Sequence, residues 1–230
     1  METPEEIRKR FLSNSDEKYR SFSETCVVPK NYTIIGIRNP VIREFAKEIC
    51  SGDWRSYLHG TEDEYYEDVL LRSFIIAQAK MEQSERHGMI ADIVRRMDNW
   101  AICDSLSSAL KVNKKNADDV WYFILPFLGT KEEFQIRFTI AVMLFHFVNE
   151  KYVDRILQYM DTVKNDKYYV KMAVAWCLSV CFIKFPDITM TYLKNNTLDT
   201  FTFNKTLSKI TDSFRVSDES KVTIRKMRRK

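Results

Sequence analysis

The stretch that decides the fold is residues 134–148, FQIRFTIAVMLFHFV, in which Arg137 is the only residue with a formal charge. A helix built from this stretch is apolar almost all the way round. Such a helix is stable only if other elements cover it on several sides. The stretch therefore predicts a helix near 131–148 that lies at the centre of a stack of helices.

The rest of the chain continues this pattern, because apolar residues recur at three-to-four-residue spacing over nearly its whole length. Alternating patterns typical of strands do not compete, and the chain has only five glycines and five prolines. The fold class predicted is all-α. We expect helices near 3–13, 16–27, 39–50, 64–81, 83–97, 99–112, 116–127, 131–148, 152–162, 167–185, 187–195 and 198–213.

The spacing of the strongest helices indicates how they are arranged. Similar helices are expected to begin near 99, 131 and 167, each followed by a shorter one, which is roughly the period of HEAT-like helix pairs. Stacked pairs form an α-α superhelix with a long concave surface. We predict a HEAT-like helical-repeat solenoid, a single domain over 1–216, followed by a basic C-terminal tail, 217–230. An irregular helical bundle is the alternative.

The net charge of +4 is located in that tail. Six of the 36 Lys and Arg residues but only two of the 32 acidic residues lie in 217–230, so the remainder of the chain is electrically balanced. A surface that binds nucleic acid must therefore come from segregation of charge within the folded domain.

Other classes of protein find little support in the sequence. No apolar run is long enough for a membrane span, and residues 1–13 lack a secretory signal, which predicts a soluble, cytoplasmic protein. The five cysteines are odd in number, scattered and mostly set in apolar stretches, which favours reduced, buried thiols. His59, His87 and His146 lie far apart and no phosphate-binding glycine loop occurs, so we expect no metal and no nucleotide cofactor.

The first candidate site is the helix that begins at 98–100. Asp98 or Asn99 is suited to cap it. A helical wheel places Ile102, Cys103, Leu106, Ala109 and Leu110 on one side and Trp100, Asp104, Ser107 and Lys111 on the other. An indole beside a carboxylate at i, i+4 on a polar face suggests a site, with core packing of the tryptophan as the alternative.

Two further helices carry unusual residues. Arg137 either pairs with a carboxylate, for which Asp104 is a candidate, or reaches a phosphate, because an uncompensated buried charge is strongly unfavourable. The helix 167–185 contains Tyr168, Tyr169, Lys171, Trp176, Ser179 and Lys184 but no acidic residue. Cations and aromatics without acids are typical of surfaces that bind nucleic acid. By periodicity alone, a tryptophan such as Trp176 more often belongs to the core, because this helix is apolar on most sides.

These motifs together resemble the AlkD-type DNA alkylation repair glycosylases. The resemblance rests on DNWAICD at 98–104, Arg137 on its apolar helix, YVKMAVAWCL at 169–178, and IGIRNP at 35–40 before a basic helix. It covers residues 16 to 216, and the four motifs occur in the family's order with similar separations.

The resemblance implies a monomeric enzyme that removes cationic alkylated purines, such as 3-methyladenine and 7-methylguanine, from double-stranded DNA. It would hydrolyse the N-glycosidic bond without drawing the base into a pocket. In this family the residues matching Trp100, Asp104, Arg137 and Trp176 contact the damaged nucleotide. We expect the concave face of the solenoid to bind the DNA, with further contacts from Arg38, Lys111, Tyr169, Lys171 and Ser179.

The residue types fit that chemistry. A carboxylate such as Asp104 can stabilise an oxocarbenium-like sugar or orient the attacking water. The ring faces of Trp100 and Trp176 can attract a cation by about 0.5–2 kcal/mol. An alkylated purine leaves as a neutral base and needs no general acid, and Arg137 would hold a phosphate.

The sequence departs from the family pattern in two places. Ser179 stands where the family often has an arginine, and the N-terminal part lacks an aromatic in 23–30 and has Arg38 where a polar uncharged residue is usual. A non-catalytic HEAT-like relative that binds nucleic acid or protein is therefore the alternative function. A solenoid that binds only proteins is the third.

Overall fold

The computed structural model describes residues 2–230, and in this part of the chain it contains fourteen α-helices and no strand. Thr33 and Tyr65 form an isolated parallel bridge. The predicted all-α fold is confirmed. None of the helices within 2–230 is long and apolar enough to cross a membrane.

The chain divides into two compact units, Met1–Asn113 and Lys114–Lys230. The first contains α1 (Pro4–Leu12), α2 (Glu17–Cys26), α3 (Asn39–Ser51), α4 (Trp54–Gly60), α5 (Tyr66–Gln78), α6 (Gln83–Arg96) and α7 (Trp100–Ala109). The second contains α8 (Ala117–Ile124), α9 (Glu133–Val142), α10 (Val153–Thr162), α11 (Tyr168–Lys184), α12 (Pro186–Lys194), α13 (Thr200–Asp212) and α14 (Asp218–Lys226). The single domain over 1–216 and the solenoid stay predictions.

In the first unit, α5 is the central helix. It packs against both α3 and α7, and most of its side chains are buried, including those of Glu67 and Asp68. Polar groups buried to this extent need hydrogen-bond partners. Glu67 meets that requirement with the backbone of the segment 27–38, which joins α2 to α3.

In the second unit, α11 packs between α9 and α13. The stretch that predicted a central helix is buried as expected, with Phe138, Ile140 and Val142 fully enclosed. The single helix predicted over 131–148 is instead α9 followed by a π-helical turn, Met143–Phe147. A short 3₁₀ helix, Leu125–Gly129, precedes α9.

Two helices were not predicted. The short helix α4 is capped by Asp53, whose carboxylate accepts a hydrogen bond from the Ser56 N–H at 3.1 Å, and it buries Trp54. The other is α14, which lies inside the predicted basic tail and packs on α13 through Ile224. The tail prediction is therefore incomplete, since 218–226 is helical.

Candidate nucleic-acid interface

The first turn of α7 is held by two neighbouring polar residues with different tasks. Asn99 caps the helix, because its Oδ1 accepts a hydrogen bond from the Ile102 N–H at 3.0 Å. Buried Asp98 instead accepts hydrogen bonds from the backbone N–H groups of Lys30 and Asn31, both at 2.7 Å, and from Asn99 Nδ2 at 2.7 Å. The start of α7 is thereby joined to the segment 27–38.

Trp100 lies on that first turn and is half-buried. Its indole Nε1 donates a hydrogen bond to the Cys26 carbonyl, at the end of α2, over 3.1 Å. A single donor fixes the orientation of the ring while part of the ring stays accessible. Asp104, also half-buried, follows four residues later on the same helix, so both side chains project from one face of α7.

The rest of the polar side predicted for this helix is only partly correct. Ser107 is fully buried and its Oγ donates a hydrogen bond to the Cys103 carbonyl at 2.7 Å, so it does not belong to a polar face. A serine in a helix can satisfy its hydroxyl in this way without reaching solvent. Lys111 lies beyond the end of α7 and is exposed, with Nζ 3.5 Å from the Gln78 carbonyl.

The IGIRNP motif forms a tight backbone turn around a buried carboxylate. Glu67 accepts hydrogen bonds from the N–H groups of Ile35, Gly36 and Ile37, at 2.8 Å for Gly36. Burial raises the pKa of Glu67, and these hydrogen bonds oppose that shift. Gly36 has φ +85°, and a Cβ there would lie 2.3 Å from the Asp16 carbonyl oxygen, so only glycine fits.

Arg38 follows that turn on the surface. Its side chain is 57% exposed, donates to Asp16 at 3.0 Å, and lies with its guanidinium carbon 4.5 Å from the centre of the Tyr19 ring. The exposed part of the guanidinium is the part that a phosphate could reach.

Arg137 projects from α9 and is 7% exposed. Its Nη1 donates a hydrogen bond to the Tyr169 carbonyl at 3.0 Å, and its guanidinium carbon lies 5.8 Å from the centre of the Tyr169 ring. Tyr169 is held in turn, since its backbone N–H donates to Glu133 at 2.8 Å. The guanidinium is thus positioned by the start of α11, while pairing with Asp104 and contact with a phosphate both stay predictions.

Two lysines that the sequence did not single out, Lys205 and Lys209, lie on α13. The pKa of Lys209 is lowered by burial and by the nearby positive charges of Arg137 and Lys205. The Asp212 carboxylate opposes this shift, and burial and the two positive charges outweigh it. Positive charges grouped around one amine favour an anion. Lysines four residues apart normally indicate a solvated face, so sequence periodicity alone could not reveal this grouping.

Trp176 is half-buried on α11 and does not belong to the core. Phe145, which is 37% exposed in the π-helical turn, packs edge-to-face on it, with ring centres 5.4 Å apart and an interplanar angle of 88°. The two rings present an aromatic surface in the second unit.

Two residues predicted to contact DNA are engaged elsewhere. Ser179 is buried and its Oγ donates to the Trp176 carbonyl at 2.7 Å, so the structure lends no support to a DNA contact there. The Lys171 side chain is 19% exposed, and its Nζ lies 2.9 Å from Asp166 and 3.4 Å from Asp199. These carboxylates neutralise its charge locally.

Residues 2–230 contain no group of three His, Cys, Asp or Glu side chains that could hold a metal ion. The features found instead are half-buried tryptophans, a carboxylate on a capped helix, and grouped cations, all on helices. The protein is all-α, and residues of these types are common in proteins that bind nucleic acid.

Comparison with known families identifies this class. The chain matches the family model described as DNA alkylation repair enzyme over residues 7–210. It belongs to this AlkD-like family, and the resemblance seen in the sequence is confirmed. No curated protein matches the chain.

Proposed function

We propose that this DNA alkylation repair family member is a DNA glycosylase that releases cationic alkylated purines, such as 3-methyladenine and 7-methylguanine, from double-stranded DNA. The observation that carries the proposal is the pair on α7, where half-buried Asp104 follows an oriented, half-buried Trp100 by one turn. A glycosylase of this kind requires a carboxylate beside an aromatic ring, held by rigid structure.

The protein would contribute to this reaction mainly by stabilising charge electrostatically. As the N-glycosidic bond breaks, positive charge moves from the alkylated purine to the sugar, and the base departs neutral. The Asp104 carboxylate would stabilise the developing sugar cation or orient the attacking water. The Trp100 ring, fixed through its hydrogen bond to Cys26, would place its face against the cation.

In the second unit, the grouped cations Arg137, Lys205 and Lys209 would contact backbone phosphates, and Trp176 with Phe145 would pack against the nucleotide. Phosphate contacts position a protein on a duplex without reading its sequence. Contacts that do not read the base sequence are what an enzyme needs when it recognises a damaged base by its charge.

The test measures release of 3-methyladenine and 7-methylguanine from methylated duplex DNA at protein in excess over lesions. We expect release by the wild type and a rate at least about 100-fold lower for Asp104→Asn, the range seen when one transition-state electrostatic contact is removed. Asp187→Asn, an exposed aspartate on the first turn of α12, is the matched control and should act as wild type. Duplex binding without release by the wild type would instead identify a non-catalytic DNA-binding relative.

A further inference from the structure

The segment 217–230 lies beyond residue 210, where the match to the family model ends. Its charges are separated along its length. Asp218 and Glu219 lie in the first turn of α14, whereas Arg225 and Lys226 lie in the last turn and Arg228 and Lys230 follow the helix. These last four side chains belong to exposed residues and form no ion pair within the part of the chain that the structure describes.

The cationic end of this segment is held against the second unit by Arg229. The backbone N–H of Arg229 donates to Asn204 Oδ1 at 3.0 Å, and its carbonyl accepts a hydrogen bond from Asn204 Nδ2 at 2.9 Å. Its guanidinium donates to the Leu198 carbonyl and to Asn196, and lies 3.9 Å from the centre of the Phe203 ring.

Arg229 is therefore an anchor, and its neighbours are presented to solvent. A charged tail that only keeps the protein soluble does not require these five contacts. Ordering a solvated segment costs conformational entropy, and nothing in a purely solubilising role offsets that cost. Four like charges within six residues, none of them in an ion pair within residues 2–230, also leave their mutual repulsion uncompensated. An anion with closely spaced charges removes that repulsion.

We propose that Arg225, Lys226, Arg228 and Lys230 bind backbone phosphates of duplex DNA, extending the interface beyond the part of the chain shared with the family. The proposal rests on the DNA-binding side of the proposed function, not on base release. Duplex DNA carries about one negative charge per 1.7 Å of axis, so four cations within six residues have several phosphates within reach. The segment 217–230 contains no aromatic residue for stacking on bases, which favours the backbone of a duplex over a single strand.

The test is titration of an undamaged duplex at several salt concentrations with wild type and with R225Q/K226Q/R228Q/K230Q. If two of the four cations meet phosphates at any time, the slope of log K against log salt should fall by about 1.8. The Kd at about 0.1 M salt should rise roughly 60-fold. The matched control is K47Q/K80Q/K131Q/K194Q, which removes the same charge from four exposed lysines elsewhere. It should change the slope by less than about 0.5.

A second variant, Asn204→Ala, keeps every charge but removes both hydrogen bonds to the Arg229 backbone. We expect its Kd to rise about threefold to tenfold with the full charge retained, because the cations are no longer held in place. Equal losses in the control and the R225Q/K226Q/R228Q/K230Q protein would overturn the proposal, as would an unchanged salt slope or a loss seen only with duplex RNA. Wild type that binds undamaged duplex but releases no base would contradict the glycosylase and leave this inference standing.

Discussion

At the scale of single residues, Trp100 combines two contacts that can be separated. Its indole N–H fixes the ring to the end of α2, and its ring face is the part proposed to meet the sugar cation. Phenylalanine keeps a ring face and loses the donor, whereas alanine loses both.

We expect Trp100→Phe to lower base release less than tenfold and Trp100→Ala to lower it by about 30-fold, since a cation–ring contact contributes up to about 2 kcal/mol. Single-turnover release of 7-methylguanine measures both rates. If the two variants lose activity equally, the ring face makes no contribution and the indole N–H is the functional group.

Lys209 allows a test of the grouped cations through pH. Burial, Arg137 and Lys205 lower its pKa, so in the free protein it loses its proton below the usual range for lysine. A bound phosphate favours the charged form, and binding above the lowered pKa must therefore take up a proton. The affinity for duplex DNA should fall as the pH rises through that value.

The measurement is the Kd for duplex DNA against pH for wild type, Lys209→Arg and Lys209→Gln. Arginine stays charged and should bind with little pH dependence, while glutamine should bind more weakly throughout and reduce the salt slope by about 1. A wild-type profile that matches the Lys209→Arg profile would place Lys209 away from the DNA.

At the scale of elements, the turn before α3 depends on one carboxylate. Glu67→Ala would leave the N–H groups of Ile35, Gly36 and Ile37 without their acceptor. Each such group costs about 1–3 kcal/mol when it stays buried, so the free energy of unfolding should fall by at least about 3 kcal/mol. Denaturant unfolding measures this. Glu67→Gln keeps one acceptor oxygen and should cost about 1 kcal/mol.

The control for this prediction is Glu62→Ala, a nearby exposed position that should change the free energy of unfolding by less than about 0.5 kcal/mol. Equal effects at the two positions would mean that the turn around Gly36 is held by other contacts.

Most helices could be predicted because burial of one side leaves a three-to-four-residue pattern in the sequence. The helices that were not predicted show that the pattern is recognisable only when a helix is long and buries several residues. Helix α4 spans only seven residues, and α14 buries a single residue, Ile224, so neither gives a long periodic signal. The π-helical turn could not be predicted, because 134–148 is apolar at nearly every position and hides a change of register.

Part of the candidate site could likewise be predicted from local sequence, and part of it could not. The pair Trp100 and Asp104 follows from helical geometry and the capping residues before it, all of which are local in sequence. The burial of Ser179 and the approach of Lys209 to Arg137 depend on how α9, α11 and α13 pack, which no local pattern encodes.

At the scale of the whole molecule, the solvent accessibility of the five cysteines depends on how the chain is packed. Cys26 is exposed and Cys50 is partly accessible, whereas Cys103, Cys177 and Cys181 are buried. A hydrogen bond with Cys181, together with burial, raises the pKa of Cys177. Five free cysteines agree with the expected reduced thiols, whereas the expected burial is wrong for exposed Cys26 and only partly correct for Cys50.

A thiol-reactive dye should therefore label Cys26 of the native protein rapidly, Cys50 slowly, and the other three only after denaturation. Peptide mapping by mass spectrometry identifies each labelled position. Labelling of all five at one rate in native protein would contradict the buried positions of α7 and α11.

The π-helical turn at 143–147 places one more residue in a turn than an α-helix does, and such turns are frequent at functional sites. Phe145, which packs on Trp176, belongs to that turn. Chain length is thus part of what specifies the aromatic surface: a deletion of one residue here would remove no essential chemical group, yet would rotate the following residues by about 100° around the helix axis. A relative that is one residue shorter at this point would keep both aromatic residues and lack the contact between their rings.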